Sequence, residues 1–544
     1  MPFYNKTMKR RTFLTSAALT GTGLAMASLS GCTNPDAQKT PSEVAINPAD
    51  FELNEMTIAD LRAKMESGEL TSEAICKKYL DRVAVVDPLL KSVIELNPEA
   101  LDIARKLDEE RESGKVRGPL HGIPVMIKDN IDSGDRMQTT AGSLALSGHI
   151  AQSDAAIVAR LREAGAVLLG KTNLSEWANF RSDRSSSGWS GRGGQVRNPY
   201  LLDRSPCGSS SGTGAAVAAN LCTIGIGTET NGSIVCPSGV NGVVGVKPTL
   251  GLWSRRGIIP IAHSQDTAGP MCRTVTDAAI LLGALAGFDD QDAETHVPRG
   301  EIFTDYTSFL DVNGLSGARI GIARDMLGFN PLVDQLFDQA VEDLKAKGAE
   351  VIDNIKFENS RKWGMPSYEV LLYEFKADLN RYLQEHPDAP ARTLEDIIRF
   401  NKDNVDSEMP WFGQEIFEQA QAKSGLDSKE YLQALSDSKK YAQEGIDRVM
   451  EENRLDAIIA ATNGPAWSID WVNGDHFSGS SSSPAAISGY PNISVPMGYV
   501  HGLPVGISFF GRAWSEPTLL RLAYAFEQAT MHRKSPGFQK SLMD

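Results

Sequence analysis

Apolar positions recur along this chain with two different periods, and the two periods alternate in blocks. Residues 57–66 put Ile58, Leu61 and Met65 on one helical face, with Thr57 placed to cap the start and Gly68 beyond the end. Residues 71–86 repeat the pattern with Ile75, Tyr79, Leu80 and Val83 inward. The run IPVMI at 123–127 is short, apolar throughout and flanked by turn residues, which predicts a buried strand. A helix over 155–164 and a strand over 166–169 follow, and the strand ends at Gly170-Lys171-Thr172-Asn173. The alternation resumes with a helix over 274–285, a strand over 319–323, a helix over 331–347 that tolerates Pro331 in its first turn, and a strand at 351–352. From about 360 to 453 charge rises and the helical period dominates, so this stretch reads as a helical insertion. Strands return at 455–460, 493–495 and 506–510, and a helix over 517–530 closes the pattern. Apolar strands on both sides of the insertion predict one largely parallel or mixed sheet covered by helices, in a single domain.

Two segments stand apart from that pattern. Lys9-Arg10-Arg11-Thr12-Phe13-Leu14 precedes a mildly apolar run to Leu29 and then Leu29-Ser30-Gly31-Cys32. Paired arginines before Phe-Leu resemble a twin-arginine export signal, and Leu-Ser-Gly-Cys resembles a lipobox cleaved before an acylated Cys32. Residues 1–31 are therefore expected to be a leader, 32–50 a flexible tether and 51–544 the folded body. The body is expected on the periplasmic side of the envelope, held by lipid on Cys32; Thr33 in place of Asp favours the outer membrane where a cell has two. The formal charge of −15 excludes nucleic acid and a basic lipid-binding patch, and removing the leader makes the body more negative still. Of six cysteines, Cys32 is set aside for the lipid; the other five, Cys76, Cys207, Cys222, Cys236 and Cys272, with no CxxC pair and no histidine at metal spacing, are expected to be buried small side chains rather than a disulfide framework.

The chemistry concentrates in residues 207–249, where two glycine-rich turns carry serines at 208–214 and 228–233. A serine hydroxyl needs a base to become a nucleophile. The eight histidines fall in loops or acidic stretches, and no GxSxG elbow is present. Lys128 is the other candidate, since a lysine at the end of a buried strand loses its proton through desolvation; an ion pair with Asp129 is the alternative. Ser436-Asp437-Ser438-Lys439 matches SxxK but stands in a charged helical stretch without SDN or KTG, and the glycine turns lack the GK[ST] of a phosphate loop.

The set GPLHGIPVMIKDN, GKTNLSEWANF, CGSSSGTGAAVAAN, GTETNGSI and GVVGVKPT, in this order from about residue 51 onward, resembles the amidase signature family. The stretches 175–182, 204–207 and 264–271 are similar to those of bacterial peptide amidases. The resemblance implies a central mixed β-sheet with helices on both faces and a Ser–cis-Ser–Lys triad. In this chain the nucleophile falls on Ser233, the bridging serine on Ser209 after a cis Gly208–Ser209 peptide, and the base on Lys128. Backbone amides of Thr230, Asn231, Gly232 and Ser233 would receive the oxyanion. The family often has glycine where Asn231 stands; asparagine tolerates left-handed backbone angles. Glu229 is expected to brace the loop, and Ser210 and Ser211 to serve as turn and helix-cap hydroxyls. The runs 185–187 and 480–483 read as loops that could line a substrate site near Trp189, Trp467 and Trp471, and the insertion could line its entrance.

The implied activity is hydrolysis of a carboxamide to a carboxylate with release of ammonia or an amine, with a small amide or amidated peptide as substrate. The resemblance implies no metal and no organic cofactor. Two alternatives stay open: a glutamine-dependent amidotransferase subunit of the glutamyl-tRNA type, which works in the cytosol with partner subunits, and a non-catalytic solute-binding lipoprotein.

Overall fold

The computed structural model describes residues 50–297, 300–353, 355–357 and 362–543. The expected leader 1–31, Cys32 and the tether up to residue 49 lie outside the described residues. No described helix is long and apolar enough to cross a membrane.

Among the described residues, eleven strands form one sheet. In chain order they are β1 (Val93–Leu96), β2 (Pro124–Lys128), β3 (Val167–Thr172), β4 (Ile224–Glu229), β5 (Val244–Lys247), β6 (Thr267–Cys272), β7 (Arg319–Ile322), β8 (Glu350–Ile352), β9 (Ala457–Ala461), β10 (Asn492–Val500) and β11 (Leu503–Phe510). Across the sheet they run β1-β3-β2-β4-β6-β5-β10-β11-β9-β7-β8. Two parallel trios, β3-β2-β4 and β9-β7-β8, are joined by an antiparallel run through β6, β5, β10 and β11. The sheet is thus mixed, in one α/β domain flanked by helices. β2, β3 and β4 are buried at every position, which is why the starts of β2 and β3 read as continuous apolar runs without alternation; the alternating glycines of β4, Ile-Gly-Ile-Gly-Thr-Glu, hide it.

The amphipathic segments fold as their periodicity dictates. Thr57 and Asp60 form a capping box at the start of helix Ile58–Glu66, and Ile58, Leu61 and Met65 are its buried residues. Helix Ser72–Leu90 runs past the expected end at 86, carries Pro88 near its end, and stops where Lys91 turns left-handed. The stretch after residue 361 holds five helices, Gly364–Glu385, Leu394–Asp403, Val405–Glu408, Glu415–Gln421 and Lys429–Asn453. Three of them, Gly364–Glu385, Leu394–Asp403 and Glu415–Gln421, build an apolar cluster around Phe375, Leu379, Leu383, Ile397 and Phe417, against Trp177 and Phe180 of the segment following β3. The insertion is thereby seated on the loops at the carboxyl end of the parallel trio β3-β2-β4.

Candidate active site

Lys128 is the last residue of β2, and the parallel register Val125↔Ile224, Met126↔Gly225, Ile127↔Ile226 sets it beside the end of β4. Its Nζ lies 2.8 Å from Thr228 Oγ1 and 3.3 Å from Thr228 O. It also donates to Ser209 Oγ at 2.7 Å. Ser209 is in place because helix Ser211–Ala218 packs closely on β4. A Cβ at Gly227 would stand 2.8 Å from Ser210 Oγ, so only glycine admits the turn there. The Gly208–Ser209 peptide is cis.

Asp129 takes no part in this contact. Its carboxylate accepts from Thr140 Oγ1 and from Gly142 N, and Arg192 stands 3.6 Å away. The ion-pair alternative for Lys128 is therefore not what the structure shows. Lys128 is fully buried, and desolvation pushes its ammonium down from 10.5 to about 7 against the opposing pull of the Asp266 and Glu229 carboxylates. At neutral pH a large fraction of this amine is uncharged.

Ser233 follows the turn that leaves β4. It is 9% exposed, whereas Ser209 is fully sealed, so of the two it is Ser233 that meets the cavity. Among the described residues no hydrogen bond joins the two hydroxyls; the turns are instead tied through backbone, with Ser210 N donating to Ser233 O at 3.1 Å. Hydroxyl contacts of this kind are commonly loose in an unliganded site. The backbone N–H groups of Thr230, Asn231, Gly232 and Ser233 make no hydrogen bond to protein among the described residues. Glu229 Oε2 accepts from Ile234 N at 2.8 Å and Val235 N at 3.1 Å, bracing the turn from below.

Three expectations need correction. Gly232, at φ 86°, carries the left-handed angle of this turn, and Asn231 does not, so asparagine at 231 imposes no backbone strain. Asn231 instead reaches across to Ser482 and Ser483, accepting from Ser482 Oγ at 2.7 Å and donating to Ser483 Oγ at 3.2 Å. Ser210 and Ser211 do not cap the helix. Ser210 Oγ is stapled to the Thr228 backbone, donating to O at 3.0 Å and accepting from N at 3.1 Å, and Ser211 Oγ donates to Cys207 O at 2.7 Å. Finally, Cys207 and Cys236 form a disulfide across 29 residues, with Cα atoms 6.1 Å apart. Cys207 directly precedes the first serine turn and Cys236 lies in the helix Val235–Val240 after the second, so only the packing of the two turns brings the thiols together. Cys76, Cys222 and Cys272 are buried free thiols, as expected.

A cavity of about 560 Å³ opens onto Ser233 and the disulfide. Phe180, Leu371, Trp467 and Phe477 supply its apolar wall, and loops 182–187 and 480–483 its polar one, so both serine runs line the site. Its only charged lining residues among those described are Asp183 and Asp475. A second cavity of about 680 Å³, lined by Asn130, Thr228, Asp266, Arg255 and Tyr382 among others, meets the first at Ala178, Thr230 and Ile261. Leu371 in the first, with Asp378, Arg381 and Leu426 in the second, makes the insertion part of both walls.

A buried strand-end lysine with a lowered pKa thus touches one serine, beside a second, slightly exposed serine and a turn of unspent backbone amides. The chain belongs to the amidase family: the family model described as Amidase matches residues 74–520. The solved structure of native peptide amidase from Stenotrophomonas maltophilia is 51% identical, with a TM-score of 0.86, covering 89% of this chain and 99% of that one. A probable amidase of Arabidopsis thaliana is 43% identical over 501 residues, 90% of this chain and 92% of its own length. A glutamyl-tRNA(Gln) amidotransferase subunit of Carboxydothermus hydrogenoformans is 33% identical over 501 residues, 89% of this chain and 99% of its own length. The protein is an amide hydrolase, which removes the solute-binding alternative.

Proposed function

We propose that the protein removes the C-terminal amide from peptides by acyl transfer through Ser233. Uncharged Lys128 accepts a proton from Ser209, Ser209 accepts one from Ser233, and Ser233 Oγ attacks the carboxamide carbon. The Thr230–Ser233 amides receive the oxyanion, each donor contributing about 3 kcal/mol to the barrier reduction. The relay returns the proton to the leaving nitrogen, ammonia departs, and water cleaves the acyl-enzyme by the same route in reverse. The observation that carries this reading is the 2.7 Å contact between a fully buried lysine and Ser209.

The charge of the cavity supports the substrate class. An amidated C-terminus differs from an ordinary one by lacking a carboxylate, and a cavity whose only charged lining groups among the described residues are Asp183 and Asp475 accepts the neutral amide while repelling the acid product. Free glutamine carries an α-carboxylate that finds no lysine or arginine among the described residues of this lining. The identity to the amidotransferase relative is also lower than that to the peptide amidase. Profiling the purified enzyme on peptide, aryl and fatty amides and on glutamine, reading ammonia release, tests the proposal. Peptide amides should lead; glutamine as the best substrate would overturn it.

Export and lipid anchoring rest on Arg10-Arg11 and Leu29–Cys32 of the sequence. Detergent-phase partitioning of the cell-made protein, lost in Cys32→Ala, is the expected outcome; aqueous partitioning of both forms would reject the anchor.

A further inference from the structure

The turn that offers its amides has to be held where it leaves β4, and the Asp266 carboxylate does so. Thr230 Oγ1 donates to Asp266 Oδ1 at 2.6 Å. The other oxygen, Asp266 Oδ2, accepts from Ile261 N and Ala262 N, both at 2.8 Å. Gln265 Nε2 donates to Thr230 O at 3.2 Å, and Ser367 Oγ fixes Gln265 by donating to its Oε1 at 2.8 Å. The same segment is moored to helix Gly364–Glu385 through His263 N to Asp378 at 3.0 Å and Ser264 N to Glu374 at 2.9 Å. Thr230 and Ile261 are also where the two cavities meet.

We infer that Asp266 is a positioning residue for catalysis: by pinning Thr230 to the 261–266 segment it keeps the donor turn in the arrangement that receives the oxyanion. The inference rests on the proposed role of that turn. A donor misplaced by a fraction of an ångström binds the developing charge less well while leaving ground-state binding almost untouched. The defect therefore belongs in kcat. Asp266 has a second, separable effect, since with Glu229 it is one of the carboxylates that favour the charged form of Lys128. Asp378, from helix Gly364–Glu385, is the charged group that faces Asp266 from the insertion.

Three variants separate the two effects. Asp266→Ala cuts both links and should lower kcat about 10- to 100-fold, with KM within about twofold. Asp266→Asn is nearly isosteric: its carbonyl accepts from the Ile261 and Ala262 amides while its amide donates to Thr230 Oγ1. It should keep kcat within about threefold of the parent, yet move the acid limb of the pH–rate profile to lower pH, because one opposing carboxylate beside Lys128 is gone. Thr230→Val severs the link from the other side and should copy the kcat loss of Asp266→Ala without moving the acid limb. If Asp266→Ala does not fold, the contrast between Asp266→Asn and Thr230→Val decides. Equal losses in Asp266→Ala and Asp266→Asn, a loss confined to KM, or parental kcat in Thr230→Val overturns the inference. An inactive Ser233→Ala alongside an unaffected Asp266→Ala would sink the inference and leave the hydrolytic mechanism standing.

Discussion

Replacing Lys128 with methionine removes the proposed base and, at the same time, reports on its surroundings. The lysine is fully buried, and burial takes its pKa from 10.5 to about 7. Between those two values the unfolded chain holds a proton that the native protein has lost, so native stability rises with pH across that window. The cost of burying this amine is about 4 kcal/mol at pH 7 and falls to about 1 kcal/mol at pH 10. Methionine matches its length and carries no charge, but strips a partner from Ser209 Oγ and Thr228 Oγ1, at about 1 kcal/mol for each hydrogen bond. The inactive variant should thus be about 2 kcal/mol more stable than the parent at pH 7, and about 1 kcal/mol less stable at pH 10. Urea unfolding followed by circular dichroism at the two pH values measures both differences. A variant less stable than the parent by the same amount at both would refute the reasoning, since Lys128 would then be a paired cation whose proton plays no part.

Other consequences are simpler to check. With the neutral form of Lys128 as the proposed base, kcat/KM should be about a tenth of its plateau at pH 6 and approach it near pH 8; a flat profile from pH 5 to 9 contradicts the assignment. Removing the disulfide with Cys207→Ala/Cys236→Ala frees a loop spanning 29 residues and should cost about 3 kcal/mol, seen as a lower urea midpoint that reductant no longer changes. In a series of peptide amides, an acidic residue next to the amidated one should give the lowest kcat/KM, and Asp475→Asn should narrow the gap to the neutral substrate. No narrowing would remove Asp475 from substrate selection.

What the sequence shows and what it hides follow from the range of the interactions involved. Thr57 and Asp60 lie three apart, so their capping box is readable; IPVMI and the strand from Val167 are buried on both faces, so their apolar runs are unmistakable. β6 is not legible. It reads Thr-Ala-Gly-Pro-Met-Cys, with Gly269 present because a Cβ there would stand 2.0 Å from Val246 O, and neither glycine nor proline signals a central strand. β1 is a four-residue, largely half-exposed edge strand, too short to show a period. At the site, Lys128, Ser209 and Ser233 stand out because motif and chemistry agree. Thr228, Asp266 and the Cys207–Cys236 bond do not, since each matters through a partner that only tertiary packing supplies. Residue 231 shows the limit of local reasoning: asparagine is a fitting bearer of an unusual backbone angle, yet the neighbouring glycine takes it.

The central claim is that one hydroxyl, activated through a second by an uncharged lysine, forms the covalent bond to substrate. Peptide mapping after treatment with a serine-directed fluorophosphonate tests it most directly. A single adduct on Ser233 is expected, formed about 30-fold more slowly at pH 5.5 than at pH 8, and nearly absent in Lys128→Met. An adduct on another residue, or labelling of Ser233 that proceeds equally fast without the lysine, would contradict it.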